Sequence, residues 1–194
     1  MNLQQSKKIL ILEDEKRFAH AVSESIFEKP QMTVWMILIP IILVYHMYRY
    51  QRYVKDRNSF TENYLIMRRQ ALEEAYTSFA GNRKPDFAKL IKMSNVPNGT
   101  AKQCNAWLET IVSHYQHLFS AEGDSYDALI RSSYKNRANY LLFLNKLNEV
   151  ERQFSVALTA YIEETAERVD ETITRMGKCS EALRKDQATR IFSI

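Results

Sequence analysis

The chain is predicted to be all-α, with one membrane-spanning helix kinked at Pro40 followed by an elongated antiparallel helical bundle with a long C-terminal helix. Three observations predict it. Turn-forming residues are scarce, four glycines and four prolines in 194 residues, too few to punctuate a protein of many strands. Apolar residues recur at every third or fourth position over most of the chain, the period of an amphipathic helix. From Pro30 to Tyr48 the sequence PQMTVWMILIPIILVYHMY carries no formal charge, between Lys29 and Arg49.

At 1.5 Å of helical rise per residue that run covers about 28 Å, close to the ~30 Å hydrocarbon core of a bilayer. A buried core helix is the competing reading, because the strictly apolar part, Val34 to Tyr45, is short. Three features oppose it. The run is apolar all round and leaves no polar face for solvent. Aromatic residues stand at its ends, Trp35 at one and Tyr45, Tyr48, Tyr50 and Tyr53 at the other, where amphipathic rings favour the headgroup level. Arg49, Arg52, Lys55 and Arg57 follow at once and can snorkel toward phosphates. The run starts too far in, and lacks the small-residue site, for a cleaved signal peptide.

Pro40 sits mid-run and removes a backbone donor, so a spanning helix is expected to kink there. The second geometry is a re-entrant hairpin whose limbs of eight to ten residues are too short to cross. Spanning is preferred, with the membrane anchor assigned to Trp35, Pro40, Tyr45, Tyr48, Arg49 and Arg52. The basic excess after the run favours a single-pass protein whose C-terminal domain is cytoplasmic. The chain thus divides into an N-terminal amphipathic arm (1–29), the membrane segment (30–48) and a helical domain (49–194).

Within that domain the glycines and prolines fall where apolar periods end, and cut it into helices at 52–80, 86–94, 100–121 and 125–176. The first carries Phe60, Tyr64, Met67, Ala71, Ala75 and Phe79 on one stripe. Ser59 with Glu62 reads as a capping box, unless the helix runs straight out of the membrane. The third has a similar box in Thr100 and Gln103, then Cys104, Leu108, Ile111, Tyr115 and Leu118. Asp124 is placed to cap the last helix, whose stripe runs from Leu141 through Leu144, Leu147, Val150, Phe154, Leu158, Tyr161, Thr165, Val169 and Ile173 to Met176. The stripe thins at Lys135–Arg137, where a break is allowed for. A wide stripe containing tyrosine and threonine favours a bundle over a two-stranded coiled coil, with the distal half of the long helix free to pair between subunits.

The opening, KKILILEDEKRFAHAVSESI, resembles the first strand and helix of a response-regulator receiver domain, with Ile9 to Leu12 as the strand and Glu13, Asp14 and Glu15 as the acidic magnesium pocket. The resemblance covers about twenty residues. The later strand with its phosphorylatable aspartate, the lysine beyond it and the remaining strand–helix units have no match, and no family is assigned. Read instead as a helix, the segment lines Leu12, Phe18, Ala19, Val22 and Ile26 on one face, suited to a membrane surface or to the bundle.

Residues able to carry chemistry are few. His114 and His117 stand three apart on one helix, with Cys104 and Glu109 upstream, and could share a metal ion. A carboxylate-bridged di-iron bundle needs Glu-x-x-His pairs, and the sequence has none. His46 could ligate haem if two subunits each supplied one, although its place among tyrosines suits polar anchoring. Glu163, Glu164, Glu167, Asp170 and Glu171 make an acidic patch, read as a solvated face or as a docking stripe for a basic partner. Arg131, Lys135 and Arg137 form a modest basic cluster, but the net charge of +4 is small and no nucleic-acid module is present. Asn98-Gly99-Thr100 is formally a glycosylation acceptor that a turn and helix cap explain. Cys104 and Cys179 have no Cys-x-x-Cys spacing; they fit a reducing compartment or one bridge in an oxidising one.

The sequence therefore predicts a membrane-anchored, non-catalytic interaction or scaffold protein without cofactor. Membrane lipid, a protein partner and copies of itself are its expected contacts, and nucleic acid is not. The rival class is a small membrane redox or metal-binding protein using His114 and His117.

Overall fold

The structure is a computed structural model that describes residues 2–26, 40–94, 96–159, 161 and 166–193. Among these residues it contains seven α-helices and no strand: α1 (Leu3–Ile26), α2 (Pro40–Ala80), α3 (Phe87–Met93), α4 (Ala101–Ser120), α5 (Tyr126–Tyr134), α6 (Arg137–Thr159) and α7 (Ala166–Phe192), with a 3-10 turn at Asn98–Thr100. The all-helical class holds. The strand expected at Ile9–Leu12 from the receiver resemblance does not form; those residues lie inside α1, where Ile11 is fully buried.

Cross-helix contacts fix the arrangement. Lys8 meets Glu73, Glu15 meets Arg68 and Glu24 meets Arg57, so α1 and α2 run antiparallel. Arg68 lies over the Trp107 ring and Ser78 meets Gln116, so α2 and α4 run parallel. Trp107 packs on Phe154 and His114 on Phe143, which sets α6 antiparallel to α4. Arg184 meets Glu151 and Arg137 meets Thr189, making α6 and α7 an antiparallel pair. Gln187 to Asp14 and Arg175 to the Ser25 carbonyl close α7 back onto α1. The result is a ring of five helices in the order α1, α2, α4, α6, α7. A parallel neighbour needs a return path, and the stretch from 81 to 100, with α3 packed on α4 and α2, supplies it. Helix α5 touches α1, α4, α6 and α7.

Helix α4 is the hub. Cys104, Trp107, Leu108, Ile111, Val112, Tyr115, Leu118 and Phe119 are all buried on it, including the whole stripe read from the sequence. Its C-terminal carbonyls are met by a buried cation: Lys7 of α1 donates to the oxygens of Phe119 and Ala121 at 2.8 and 2.6 Å. A positive charge suits a helix C-terminus, where unpaired carbonyls gather. The N-terminal segment is therefore one wall of the bundle.

Some boundaries differ from expectation, each for a physical reason. Helix α2 does not start at 52 but runs from Pro40 without interruption, so Ser59 and Glu62 are mid-helix and Glu62 pairs with Arg69. Thr100 holds the cap position of α4 without a side-chain cap bond; its hydroxyl donates to the Pro97 carbonyl. Ser125, one residue past the expected Asp124, caps α5 by accepting from the Ala128 amide. The expected long helix from 125 to 176 is three helices. The first break is a γ-turn centred on Lys135, at φ 66° and ψ −37°, with the Asn136 amide donating to the Tyr134 carbonyl at 2.8 Å. The second lies between α6 and α7. Gly177, read as a terminator, sits inside α7, because Ser180, Arg184, Ala188 and Ile191 beyond it are buried and carry the helix through. Tertiary burial overrides a glycine penalty of about 1 kcal/mol.

Among the described residues no helix is long and apolar enough to cross a membrane. Residues 30–39 of the uncharged run, Trp35 among them, lie outside the described residues, and the kink expected at Pro40 falls at their edge. Residues 40–48 form the start of α2.

Two backbone substitutions test these assignments. Lys135→Gly is expected to raise stability by up to about 1 kcal/mol, since glycine tolerates positive φ. Gly177→Ala is expected to add about 1 kcal/mol, because a Cβ there meets nothing within 4 Å. Urea denaturation of both singles and the double should show additive gains; a loss at either position contradicts the turn or the helix.

Candidate functional site

Every helix of the ring sends a polar side chain into one cluster. Arg68 of α2 pairs with Glu15 of α1 at 2.8 Å and with Glu151 of α6. Arg184 of α7 pairs with the second oxygen of Glu151 at 2.7 Å and donates to Asn148. From α4, the Trp107 indole N–H donates to Glu151 at 3.2 Å and the Tyr115 hydroxyl to Glu15 at 2.7 Å. The guanidinium of Arg68 also faces the ring of Tyr64 at 4.7 Å, and that of Arg184 faces Phe18 at 5.0 Å. Two cations and two carboxylates sum to zero charge, which suits a site where the Arg68 and Arg184 side chains are only 5 % and 4 % exposed. Burial pushes the Glu151 carboxyl up, but the adjacent Arg184 and Arg68 charges outweigh it and hold the group at about 2.

Beside the cluster lies a cavity of about 30 Å³ lined by Asp14, Glu15, Arg68, His114, Tyr140 and Arg184, among others. That volume admits about two water molecules. The buried Nη2 of Arg184 has no hydrogen-bond partner among the described residues, and water is the ligand the size and polarity fit. Two titratable groups face this space with opposite perturbations. Burial raises Asp14 to about 6, since the hydrogen bond from Gln187 and the charge of the two-thirds-exposed Arg17 offset only part of the cost. Burial lowers His114 to about 3, helped by the charges of His117, Arg68 and Arg184. The neutral His114 ring stacks on Phe143 at 4.3 Å, and its Nδ1 is bonded to the Tyr134 hydroxyl at 2.8 Å.

The structure does not bring the two candidate metal ligands together with others. His114 is buried in aromatic packing while His117 is exposed. Among the described residues no group of three or more His, Cys, Asp or Glu side chains could hold a metal ion. Cys104 and Cys179 are both free, and burial pushes the Cys104 thiol up to about 11, away from reactivity. Of the proposed acidic stripe, Glu163 and Glu164 lie outside the described residues, and Glu167, Asp170 and Glu171 belong to the first turns of α7. Tyr45, Tyr48, Arg49 and Arg52 belong to the start of α2. The sequence reading missed Arg68, Glu151 and Arg184 as site residues and gave Glu15 only the acidic-pocket role of the receiver resemblance. A signal was present: Arg68 stands between Tyr64 and Ala71, and Glu151 between Leu147 and Phe154, charged residues on apolar stripes, which implies partners.

Removing one member of the cluster leaves the opposite charge buried. Glu151→Gln is expected to cost about 3–5 kcal/mol, nearly unchanged between 0.1 and 1 M salt because the pair is shielded from ions. Arg152→Ala, which breaks the exposed pair with Glu149, should cost less than about 0.5 kcal/mol. Equal losses in urea denaturation would contradict the cluster's burial.

Asp14 and His114 give a second test, with opposite signs. Asp14 binds a proton more readily folded than unfolded, so its contribution is complete below about pH 4 and lost as pH rises through 6. His114 binds one less readily folded, so its contribution is complete above about pH 6.5 and lost as pH falls toward 3. Between pH 4 and 6 the two slopes cancel. Asp14→Asn is expected to expose the histidine slope, losing about 1.4 kcal/mol per pH unit on acidification, and His114→Phe the reverse. Stability–pH profiles parallel to the parent's in both variants would refute these environments. No family model, curated protein or solved structure matches this chain.

Proposed function

We propose that this chain is a membrane-anchored, non-catalytic helical protein whose bundle holds a protein partner, or further copies of itself, at the bilayer, with the helical domain on the cytoplasmic side. The observation that carries the reading is the uncharged run Pro30–Tyr48 with the basic, tyrosine-rich flank that follows it. Amphipathic rings and snorkelling cations at that spacing are the chemistry of a headgroup layer. The chemistry of the core supports the non-catalytic part. Glu15, Arg68, Glu151 and Arg184 pair with one another, the buried histidine is neutral and packed in aromatics, and the cavity that Asp14 faces, about 30 Å³, has room for water and not for a substrate. A general acid or base instead needs a group free to meet a substrate. The acidic residues Glu163, Glu164, Glu167, Asp170 and Glu171 offer a basic partner a docking stripe.

Membrane fractionation tests the anchor. The full chain is expected to stay in the pellet through high salt and alkaline carbonate and to leave it only in detergent. A variant carrying Ile41→Lys and Leu43→Glu should move to the soluble fraction, because a charge at the centre of a bilayer costs about 3 kcal/mol or more. Release of the unaltered chain by carbonate would sink the proposal.

A further inference from the structure

We infer that the outer face of α3, with the residues that flank it, is a docking surface for an acidic segment of a partner protein, formed by Lys84, Lys89, Lys92, Met93 and Lys102. The inference rests on the interaction role proposed above and names the surface and the chemistry of that partner.

The first support is a local excess of charge. Residues 81–102 carry Arg83, Lys84, Lys89, Lys92 and Lys102 against Asp86 alone. That surplus equals the net charge of the chain, +4, so the rest of the sequence sums to zero. Lys84, Lys89, Lys92 and Lys102 are all exposed. Among the described residues none of the four forms an ion pair. The two carboxylates beside α3 are already engaged. Glu74 is buried, binds Arg83 at 2.6 and 3.2 Å and accepts from the Asp86 amide. Asp86 caps α3 by accepting from the Lys89 amide at 3.0 Å. By contrast, exposed Arg152, Lys185 and Arg190 each have a carboxylate of their own. The dipole of α3 accounts for Lys92 in its last turn, but not for Lys84, Lys89 or Lys102.

The packing of α3 gives a second, separate support. Leu90 is buried, and Phe87 and Ile91 pack against the core. Those positions turn Lys89, Lys92 and Met93, three and four apart, to the outer side. Met93 is 52 % exposed. A flexible thioether among lysines offers a peptide an adaptable apolar contact, which a purely solvated face does not need.

Position and chemistry select a protein over a membrane or a nucleic acid. Helix α3 starts beside Glu74, about 25 Å along α2 from Arg57, and so stands clear of a headgroup layer at the foot of that helix. The one arginine of the strip is tied to Glu74. No free guanidinium is left there to fork onto phosphate.

Fluorescence anisotropy with a labelled peptide of repeating Glu-Glu-Leu-Ser tests the surface on the full chain in detergent. Affinity is expected to fall at least about tenfold in Lys89→Glu/Lys92→Glu, where like charges meet, and about threefold in Met93→Ser at constant charge. Lys146→Glu/Lys178→Glu reverses two exposed lysines of α6 and α7 and is expected to leave affinity unchanged. Equal losses in the two double variants, or none in Lys89→Glu/Lys92→Glu, would overturn the surface. Tighter binding of phosphatidylserine vesicles or of a DNA duplex through the same lysines would overturn the choice of an acidic protein. An oligomer of the unaltered chain that Lys89→Glu/Lys92→Glu breaks up would assign the face to a second copy and overturn an external partner. Release of the unaltered chain by carbonate would overturn attachment and leave the peptide result standing.

Discussion

The fold turns on one constraint: two arginines and two glutamates, drawn from four helices, must neutralise one another in the interior while the hub helix donates one hydrogen bond to each glutamate. A buried ion pair is a poor source of net stability, because desolvation consumes much of the Coulomb gain. Its effect is geometric. A slip of any helix by one turn moves its member by about 5.4 Å, and a contact of 2.8 Å does not survive that. Apolar stripes alone tolerate such slips, since leucine meets leucine one turn on. The cluster therefore sets the level at which α1, α2, α4, α6 and α7 stand against one another. The aromatic faces of Tyr64, Trp107 and Phe18 over the guanidinium planes then fix the direction from which each arginine approaches.

The neighbouring cavity follows from the same arrangement. Flat guanidinium groups and the rings of Tyr140, Phe143 and His114 do not tile space as aliphatic side chains do, and a pocket of about 30 Å³ remains. Polar groups that face it take their protonation states from burial. Asp14 becomes a carboxyl that keeps its proton up to about pH 6, and His114 an imidazole that refuses one down to about pH 3. Between those values both states keep net charge out of a region where the arginines and glutamates already balance.

How much of this the sequence disclosed depends on how local each feature is. The all-helical class and the helices near 86–94 and 100–121 were legible because period and turn residues are local signals. So was the break at Lys135–Arg137, where the stripe thins, although the γ-turn itself needs Tyr134 and Asn136 to hydrogen-bond around it. Gly177 was misread because its neighbours' burial comes from α1 and α6, partners remote in sequence. The receiver-like opening failed for a related reason: a strand and the first turns of a helix can share a short apolar run, and only the docking of Ile11 into the core chooses between them. The cluster was the least legible feature. Each of its charges looks on its own like a surface residue out of phase, and the pairing that explains it joins positions 15, 68, 151 and 184.

The continuity of α2 ties this interior to the proposed anchor. One helix of 41 residues, about 60 Å long, carries the second half of the uncharged run at its start and Arg68 of the cluster further along. No turn intervenes where bundle and anchor could swing independently. If the basic flank marks the headgroup level, the 24 residues from Arg57 to Ala80 raise the far end of the bundle about 35 Å above it. Helix α1 returns beside α2 over the same height, joined to it by Glu24–Arg57, Glu15–Arg68 and Lys8–Glu73 in succession. Two helices braced by ion pairs distributed along a single helix–helix contact resist tilting more than one, and on the proposed reading a partner docked on this bundle would be held at a set distance and orientation rather than on a flexible tether.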